Sequence, residues 1–288
     1  MNFLQRALLR EPNKSAKIGI YAGMGAEAGY HFQNIFHEQL GKKITEMKIG
    51  DDKIHPQIFT ISDPWLPRKD KGVMGTGTSP LEGLKKGIQK FNDFGVDFLL
   101  APCNTLMFYK GDLQRKANFQ IIDIVDETAK YSKRVLSDNK GQKTIGVLAT
   151  GATIKSGLYS KALEKYGMKT VRLDEEDSKV ADELIERVKS GDFHDLSSEA
   201  DMKEKLKVCF SKLKEKGADA VILGYAQISL MYSRFKENER PDMPIISSSD
   251  ALAKAGVERF TELYKQRVIQ KYGNTPIKQS NQSPSRNS

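Results

Sequence analysis

The thiol of Cys103 and the phenol of Tyr225 can exchange protons, and they stand at matching places in the sequence. Cys103 follows the apolar run Asp97–Ala101 and precedes Asn104 and Thr105. Ligands of parallel α/β sheets bind beyond the carboxyl ends of the strands. Backbone N–H groups at such an end can lower the pKa of a thiol and suit it to acid–base chemistry. The alternative is a buried core cysteine, a common fate of an unpaired thiol.

An internal repeat pairs these two residues. Segments near Ile18 and Ile145 resemble each other at a shift of 127 residues, and two segments that each begin with Gly-x-Asp match at a shift of 122. The same 122 residues separate Cys103 from Tyr225. Two facing repeats would bring thiol and phenol to opposite sides of a ligand, the arrangement that two-base proton transfer at carbon requires. Alternatively, the similarity is only that which strand–turn–helix units show in any α/β protein.

The elements that must position these residues alternate between strand and helix. The predicted strands are Lys17–Ala22, Gln57–Ile61, Asp97–Ala101, Gln120–Ile124, Thr144–Ala149, Thr170–Leu173, Ala220–Gly224 and Pro244–Ser247. The predicted helices are Glu27–Leu40, Pro80–Phe94, Asp126–Ser137, Gly157–Tyr166, Ser178–Val188, Asp201–Lys216 and Asp250–Tyr264. This order predicts an α/β fold of two similar parallel-sheet lobes, related by a pseudo-two-fold, with the active-site cleft between them.

Four regions follow from this division. Residues 17–125 and 246–272 are predicted to form lobe 1, and residues 126–245 lobe 2. Residues 1–16 are expected to form an N-terminal extension, and the polar residues 273–288 a disordered basic tail.

Composition and charge exclude several classes of protein. The chain has 288 residues, is 39% hydrophobic and carries a net charge of +9. Residues 1–17 account for +3 and residues 265–288 for +5, so the span between is nearly neutral and no specific nucleic-acid site is predicted. No run of about 18 apolar residues predicts a membrane span, and no secretory signal is evident. Two cysteines preclude a disulfide framework. We expect a cytoplasmic protein.

The motifs around these residues resemble those of a known enzyme family. IGIYAGMGAEA, SDPWLPR, APCNT, IGVLATGATIKSGLY and GADAVILG occur in this order between Ile18 and Phe260. The chain resembles the cofactor-independent aspartate/glutamate racemase superfamily, most closely its aspartate racemase branch. This resemblance implies two similar α/β lobes with a small amino-acid or carboxylate substrate between them. It also implies an isomerase that uses no metal or other cofactor, and a homodimer.

The resemblance implies paired acid/base roles for one cysteine in a PCNT motif and another in a later GCTE-like motif. The first is Cys103. The second falls on Tyr225, because the later motif here reads Gly224-Tyr225-Ala226-Gln227. A free phenol has a pKa about 1.5 units above that of a thiol, which makes its anion about 2 kcal/mol harder to form. Alternatively, Tyr225 is an aromatic side chain that fills part of the site and takes no part in proton transfer.

The resemblance also implies contacts to a substrate carboxylate. These roles fall on Asn104, Thr105, Thr150, Thr153 and Arg68. Hydroxyl and amide groups can join backbone donors around an anion, and a guanidinium fork matches a carboxylate. The threonines can also serve as N-caps, and Arg68 can be a solvated charge.

Three functions remain open. The first is racemisation or epimerisation of an acidic amino acid, with Cys103 on one face of Cα and Tyr225 on the other. The second is a single-cysteine lyase or decarboxylase-like reaction. The third is a ligand-binding protein whose second half-site has decayed.

Other polar segments favour structural roles. The glycine-rich Gly75–Pro80 is interpreted as a flexible lid rather than a phosphate loop. The acidic run Asp174–Asp177 indicates the start of a helix. Cys209 lies in an amphipathic helical pattern and is interpreted as a core residue of that helix. The four histidines lack the spacing of metal ligands.

Overall fold

Eight parallel strands form two four-stranded sheets in the computed structural model. The structure describes residues 16–47, 54–137 and 141–272, with the side chains of 268–272 left out. The expected basic tail and nearly all of the expected N-terminal extension lie outside these residues. The α/β fold predicted from the sequence is confirmed.

The first sheet has the strand order β2-β1-β3-β4. Its strands are β1 (Lys17–Ala22), β2 (Gln57–Ser62), β3 (Phe98–Leu100) and β4 (Gln120–Ile121). Ile18 of β1 is in register with Ile58 on one side and with Phe98 on the other. The interior strands β1 and β3 are almost entirely buried, which explains their continuous apolar sequences.

The second sheet has the equivalent order β6-β5-β7-β8. Its strands are β5 (Thr144–Leu148), β6 (Lys169–Val171), β7 (Ala220–Leu223) and β8 (Ile245–Ser247). Ile145 of β5 is in register with Ala220 of β7. The whole of β8 pairs with β7, so the lobe boundary predicted at residue 246 falls inside a strand of this sheet.

Eleven α-helices cover the two sheets within the described residues. The first six are α1 (Ala26–Glu46), α2 (Lys69–Val73), α3 (Leu81–Phe94), α4 (Lys110–Lys116), α5 (Ile124–Val135) and α6 (Gly151–Lys155). The others are α7 (Leu158–Glu164), α8 (Glu175–Ser190), α9 (Leu196–Glu215), α10 (Ala226–Ser233) and α11 (Ser248–Tyr272). Short 3-10 helices span Asn104–Tyr109, Asp192–His194 and Glu237–Glu239. None of these helices is both long and apolar enough to cross a bilayer.

The Gly-x-Asp repeat has the same structural role in both sheets. The carboxylate of Asp97 accepts a hydrogen bond from the backbone N–H of Lys17 at 2.7 Å. The carboxylate of Asp219 accepts one from the N–H of Thr144, also at 2.7 Å. Each aspartate therefore fastens the start of β1 or β5 to the loop that leads into β3 or β7. The repeated residues form repeated contacts, which supports duplication.

A glycine at the same place in β1 and β5 lets a helix pack closely on each sheet. A Cβ on Gly19 would lie 2.9 Å from Phe91 Cδ1 of α3. A Cβ on Gly146 would lie 3.1 Å from Leu213 Cδ1 of α9. Phe91 and Leu213 are themselves separated by the repeat's 122 residues. In both halves, a glycine in the sheet thus allows close packing of the helix that precedes the interior strand.

Candidate active site

Cys103 and Tyr225 occupy equivalent backbone positions, one after each interior strand. Cys103 follows β3 and is the N-cap of the 3-10 helix Asn104–Tyr109, with φ −144° and ψ 102°. Tyr225 follows β7 and is the N-cap of α10, with φ −147° and ψ 130°. Both residues are extended immediately before a helix begins. The equivalence predicted from the 122-residue shift therefore holds in three dimensions.

Burial and positive charge act in opposite directions on the Cys103 thiol. Cys103 is buried, and burial raises its pKa. The ammonium group of Lys69, the backbone N–H groups of Thr105 and Leu106, and the more weakly acting Lys189 oppose that rise. The thiolate thus has specific stabilising groups, although desolvation is the larger influence.

The Tyr225 phenol lies within electrostatic range of Cys103. Burial raises the pKa of Tyr225 well above its ordinary value, and a negative charge on Cys103 raises it further. Asp70 and Glu186 add to the effect, while Arg68 opposes it. Lys189 Nζ lies 5.6 Å from the centroid of the Tyr225 ring. Thiol and phenol therefore belong to one electrostatic neighbourhood, in which the phenol strongly favours its protonated form.

Asn104 is held by polar side chains from two other elements. Tyr159 of α7 donates a hydrogen bond from its hydroxyl to Asn104 Oδ1 at 2.6 Å. Asn104 Nδ2 donates to Ser248 Oγ, at the start of α11, at 3.1 Å. All three residues are buried. Asn104 is thus fixed in orientation directly beside Cys103.

Three buried threonines form a hydrogen-bonded chain that joins the two halves. The hydroxyl of Thr153 lies 3.0 Å from that of Thr105 and 3.0 Å from that of Thr150. Thr150 is also the N-cap of α6, because its hydroxyl accepts from the backbone N–H of Thr153 at 3.2 Å. The structure therefore brings these three predicted site residues together and shows the capping role for Thr150.

The contact between Thr105 and Thr153 has a counterpart across the pseudo-two-fold. Gln227 is equivalent to Thr105 at the 122-residue shift, and it packs on Gly25, in the loop before α1. A Cβ on Gly25 would lie 1.8 Å from Gln227 Nε2. The helical turn that follows each interior strand therefore contacts the start of the first helical segment in the other half, which brings both turns to one junction.

Arg68 joins the loop before α2 to α8 through two carboxylates. Its Nε and Nη2 donate to Asp70 at 3.2 and 2.7 Å. Its Nη1 and Nη2 donate to Glu186 at 3.1 and 2.9 Å. The side chain is 46% exposed. Protein carboxylates occupy both edges of the guanidinium group. Arg68 is therefore an ion-paired residue rather than a solitary solvated charge, and neither edge is open to a ligand in this structure.

Two further sequence interpretations have structural outcomes. Cys209 is buried in α9, and burial raises its pKa to about 11, which confirms a core position. Asp174 is the N-cap of α8 and accepts from the N–H of Asp177 at 3.1 Å, which confirms a helix start. Within the described ranges, no three His, Cys, Asp or Glu side chains gather into a metal-binding group.

A family model described as Asp/Glu/Hydantoin racemase matches residues 23–256. The chain belongs to this racemase family. The site described above lies within the matched residues. The membership supports a racemase-like function for the fold, as the sequence motifs predict.

Relatives of this racemase-family chain include enzymes that act on amino acids. It is 25% identical over 245 residues to the broad specificity amino-acid racemase RacX of Bacillus subtilis, covering 84% of this chain and 97% of RacX. It is 30% identical over 164 residues to the glutamate racemase of Aquifex aeolicus, covering 57% of this chain and 58% of that enzyme.

Solved structures show the same fold. The aspartate racemase of Picrophilus torridus has a TM-score of 0.63 at 22% identity, covering 87% of this chain and 99% of that one. An aspartate racemase homologue from Pyrococcus horikoshii has a TM-score of 0.61 at 19% identity, covering 85% and 99%. The two-sheet architecture is therefore that of the racemase family.

Several charged residues near the thiol and phenol were not found from the sequence. Lys69 and Asp70 belong to the short helix α2, which packs against the 3-10 helix that Cys103 caps. Glu186 and Lys189 lie on α8, which reads in the sequence as an ordinary charged surface helix. The four residues carry no motif that sets them apart from other surface charges, so only the folded chain reveals them.

Proposed function

We propose that this racemase-family protein moves a proton at Cα of an acidic amino acid, with Cys103 serving one face and Tyr225 the other. The observation that carries the proposal is the equivalent placement of thiol and phenol at the ends of β3 and β7, with direct electrostatic influence of one on the other. A racemase or epimerase needs one base and one acid on opposite sides of the same carbon.

The two groups suit unequal roles. A Cys103 thiolate, stabilised by Lys69 and by backbone N–H groups, removes the α-proton and becomes a thiol. The Tyr225 phenol, held protonated by burial, delivers its proton to the opposite face and becomes a phenolate. The Cα–H bond breaks, a new Cα–H bond forms, and no atom or electron is gained or lost overall. The reverse direction starts from the phenolate, the less favourable anion. No metal or other cofactor enters this scheme.

Substrate carboxylates are proposed to meet Asn104, Thr105, Thr150 and Thr153 on one side and Arg68 on the other. Each of these side chains has a protein partner in this structure. Binding therefore requires exchange of partners rather than the filling of free donors. Since buried polar groups are costly to leave unpaired, substrate must restore every hydrogen bond that it displaces.

A second candidate is proton transfer on the Cys103 face alone, as a single-cysteine lyase would perform. The observation that favours it is the difference in polarity between the half-sites. At the repeat's shifts, the polar Asn104 corresponds to Ala226, and the polar Tyr159 to Phe32. At these two positions the Tyr225 side therefore lacks the amide and hydroxyl that accompany Cys103.

Proton exchange in heavy water tests both candidates. The purified protein is incubated in D2O with L- and D-aspartate and with L- and D-glutamate. Deuterium at Cα is followed by NMR, and inversion by chiral chromatography. With two active faces, we expect deuterium and inversion together from at least one of these acids. Deuterium without inversion would indicate the single-face reaction. Wild-type protein that incorporates no deuterium into any of the four acids contradicts both.

Two substitutions assign the faces. Tyr225→Phe keeps the ring and removes the hydroxyl, so we expect inversion to fall at least tenfold while exchange on the Cys103 face persists. Cys103→Ala should abolish exchange and inversion. Cys209→Ala is the matched control, since that thiol lies in the core of α9, and its exchange rate should stay within about twofold of wild type. Unchanged inversion in Tyr225→Phe would remove the phenol from the mechanism.

A cytoplasmic location and a homodimer remain proposals. Both derive from the sequence and from the family resemblance.

A further inference from the structure

We propose that Glu186 is a specificity-determining residue: its carboxylate occupies the edge of Arg68 that a second carboxylate of the substrate takes over on binding. This inference rests on the proposed acidic substrate. It assigns Glu186 the role of a competing internal carboxylate, which sets how tightly a dicarboxylate is held.

The position of Arg68 places this exchange at the site. Arg68 acts electrostatically on the Tyr225 phenol. It also immediately precedes α2, which packs against both the 3-10 helix of Cys103 and α6. A carboxylate bound to this guanidinium is therefore held next to a helix that packs against the Cys103 segment, and within electrostatic range of the Tyr225 phenol.

The two protein carboxylates on Arg68 differ in how readily they can leave. Asp70 is two residues from Arg68, on the same segment, and holds the Nε/Nη2 edge. Glu186 comes from α8 and holds the Nη1/Nη2 edge. Only the Glu186 contact bridges separate parts of the chain, whereas the backbone keeps the Asp70 carboxylate close to Arg68, so Glu186 is the partner that a ligand replaces more readily.

The energetics permit the exchange. Arg68 is 46% exposed and Glu186 50% exposed. Ion pairs with this exposure contribute little net stability, because solvent competes for both charges. Glu186 also keeps a second partner, since Lys189 Nζ donates to its Oε1 at 2.7 Å. The displaced carboxylate thus retains an ammonium contact, and the fork regains a carboxylate from the ligand.

Binding of succinate tests the inference without any turnover. Succinate has two carboxylates and no amino group, so its binding is measured by calorimetry whether or not amino acids react. Glu186→Gln removes the competing charge, and we expect the dissociation constant to fall by about threefold, the scale of an exposed ion pair. Glu183→Gln is the matched control. Glu183 lies on the same helix, pairs with Lys205 at 2.7 Å, and should leave the constant unchanged.

A double-mutant cycle identifies the path of the effect. If Glu186 acts through Arg68, Glu186→Gln should have no effect on succinate binding in an Arg68→Gln background. If Glu186→Gln tightened succinate binding equally in the Arg68→Gln background, the freed Lys189 would be responsible, and the inference would be overturned. So would equal affinity of wild type and Glu186→Gln, or undetectable succinate binding by every variant. Tighter succinate binding by Glu186→Gln without any proton exchange would leave this inference standing and refute the proposed function.

Discussion

The Cys103 thiol is the group whose protonation matters most to the proposed chemistry. Its pKa is raised by burial and lowered by Lys69, by two backbone N–H groups and by Lys189. A thiol whose pKa is raised on folding favours the protonated form. Folded-state stability from this group is therefore fully present below the pKa of an exposed thiol, and it is lost as the pH rises from there through the higher pKa of the folded thiol. Activity needs the opposite form, so catalysis and stability place opposing demands on the same sulfur.

Lys189→Met removes one cation from this balance and should shift thiol reactivity to higher pH. The fraction of thiolate falls tenfold for each unit by which the pKa rises. We expect alkylation of Cys103 by iodoacetamide at pH 8 to be slower than in wild type, since the thiolate is the reactive form. Mass spectrometry of the Cys103 peptide, taken over a range of pH, measures the shift separately from Cys209.

Lys189→Arg is the control, because it keeps the positive charge and should keep the wild-type profile. An unchanged profile in Lys189→Met would show that this ammonium does not stabilise the thiolate.

At the level of single residues, the sequence identifies the residues that belong to motifs. It does not show which charged residues lie near the candidate site. Cys103 and Tyr225 could be paired because strand-end positions repeat at a fixed shift. Lys189 and Glu186 could not be found, because a helix such as α8 exposes many charges that solvent screens equally. Which of them face the thiol depends on how the helix packs, and periodicity alone does not carry that information.

Among the elements, α6 owes its start to a residue of the candidate site. Thr150 accepts a hydrogen bond from the N–H of Thr153, and its hydroxyl lies 3.0 Å from that of Thr153. A cap that is also a proposed ligand contact links the stability of α6 to the arrangement of the site.

Thr150→Ala should therefore lower the free energy of unfolding by about 0.5–2 kcal/mol, the usual cost of removing an N-cap oxygen. Urea denaturation measures the change. Thr150→Ser keeps the capping oxygen and loses one buried methyl group, so it should cost about 0.8 kcal/mol or less. Equal stability of the alanine and serine variants would show that the cap contributes nothing measurable.

All the strands and the long helices were predictable from pattern, whereas four of the shorter helices were not. All eight strands and seven of the eleven helices of the described chain appear near their predicted positions. Helix α10 escaped prediction because most of it is buried, so AQISLMYS shows no polar face for periodicity to detect. β4 is only two residues long because α5 begins at Ile124, where its N-cap Asp123 accepts two backbone hydrogen bonds. A capping side chain thus ended a strand that the apolar run alone would extend.

At the scale of the whole molecule, the junction between the two halves includes a close contact of Gln227 with Gly25, which has an unusual backbone conformation. Gly25 has φ 121°, a region that residues with a Cβ rarely adopt, and Gln227 lies directly against it. Gln227 is buried, so its amide has little room to move.

Gly25→Ala should destabilise the protein more than the same change at Gly75. Gly75 also has a positive φ, 68°, but its added Cβ would meet open space. Backbone strain costs about 1–2 kcal/mol in the left-handed region of Gly75 and about 1–3 kcal/mol in the rarer conformation of Gly25. The collision with Gln227 should add about 1–3 kcal/mol at Gly25. Urea denaturation of both variants measures the difference.

The double variant Gly25→Ala/Gln227→Ala tests the cause, because removing the amide should recover at least about 0.5 kcal/mol relative to additive effects. Strict additivity would mean that Gly25 and Gln227 do not press on each other.

The halves share a strand order but line the junction differently. Cys103 is accompanied by the polar Asn104 and Tyr159, whereas the corresponding residues on the Tyr225 side are Ala226 and Phe32. A ligand with one polar and one apolar end is therefore expected to place its polar end toward the Cys103 side. In a racemase, unequal linings of this kind allow the two enantiomers to differ in KM and in kcat, but their kcat/KM values must stay equal, because enantiomers have equal free energies.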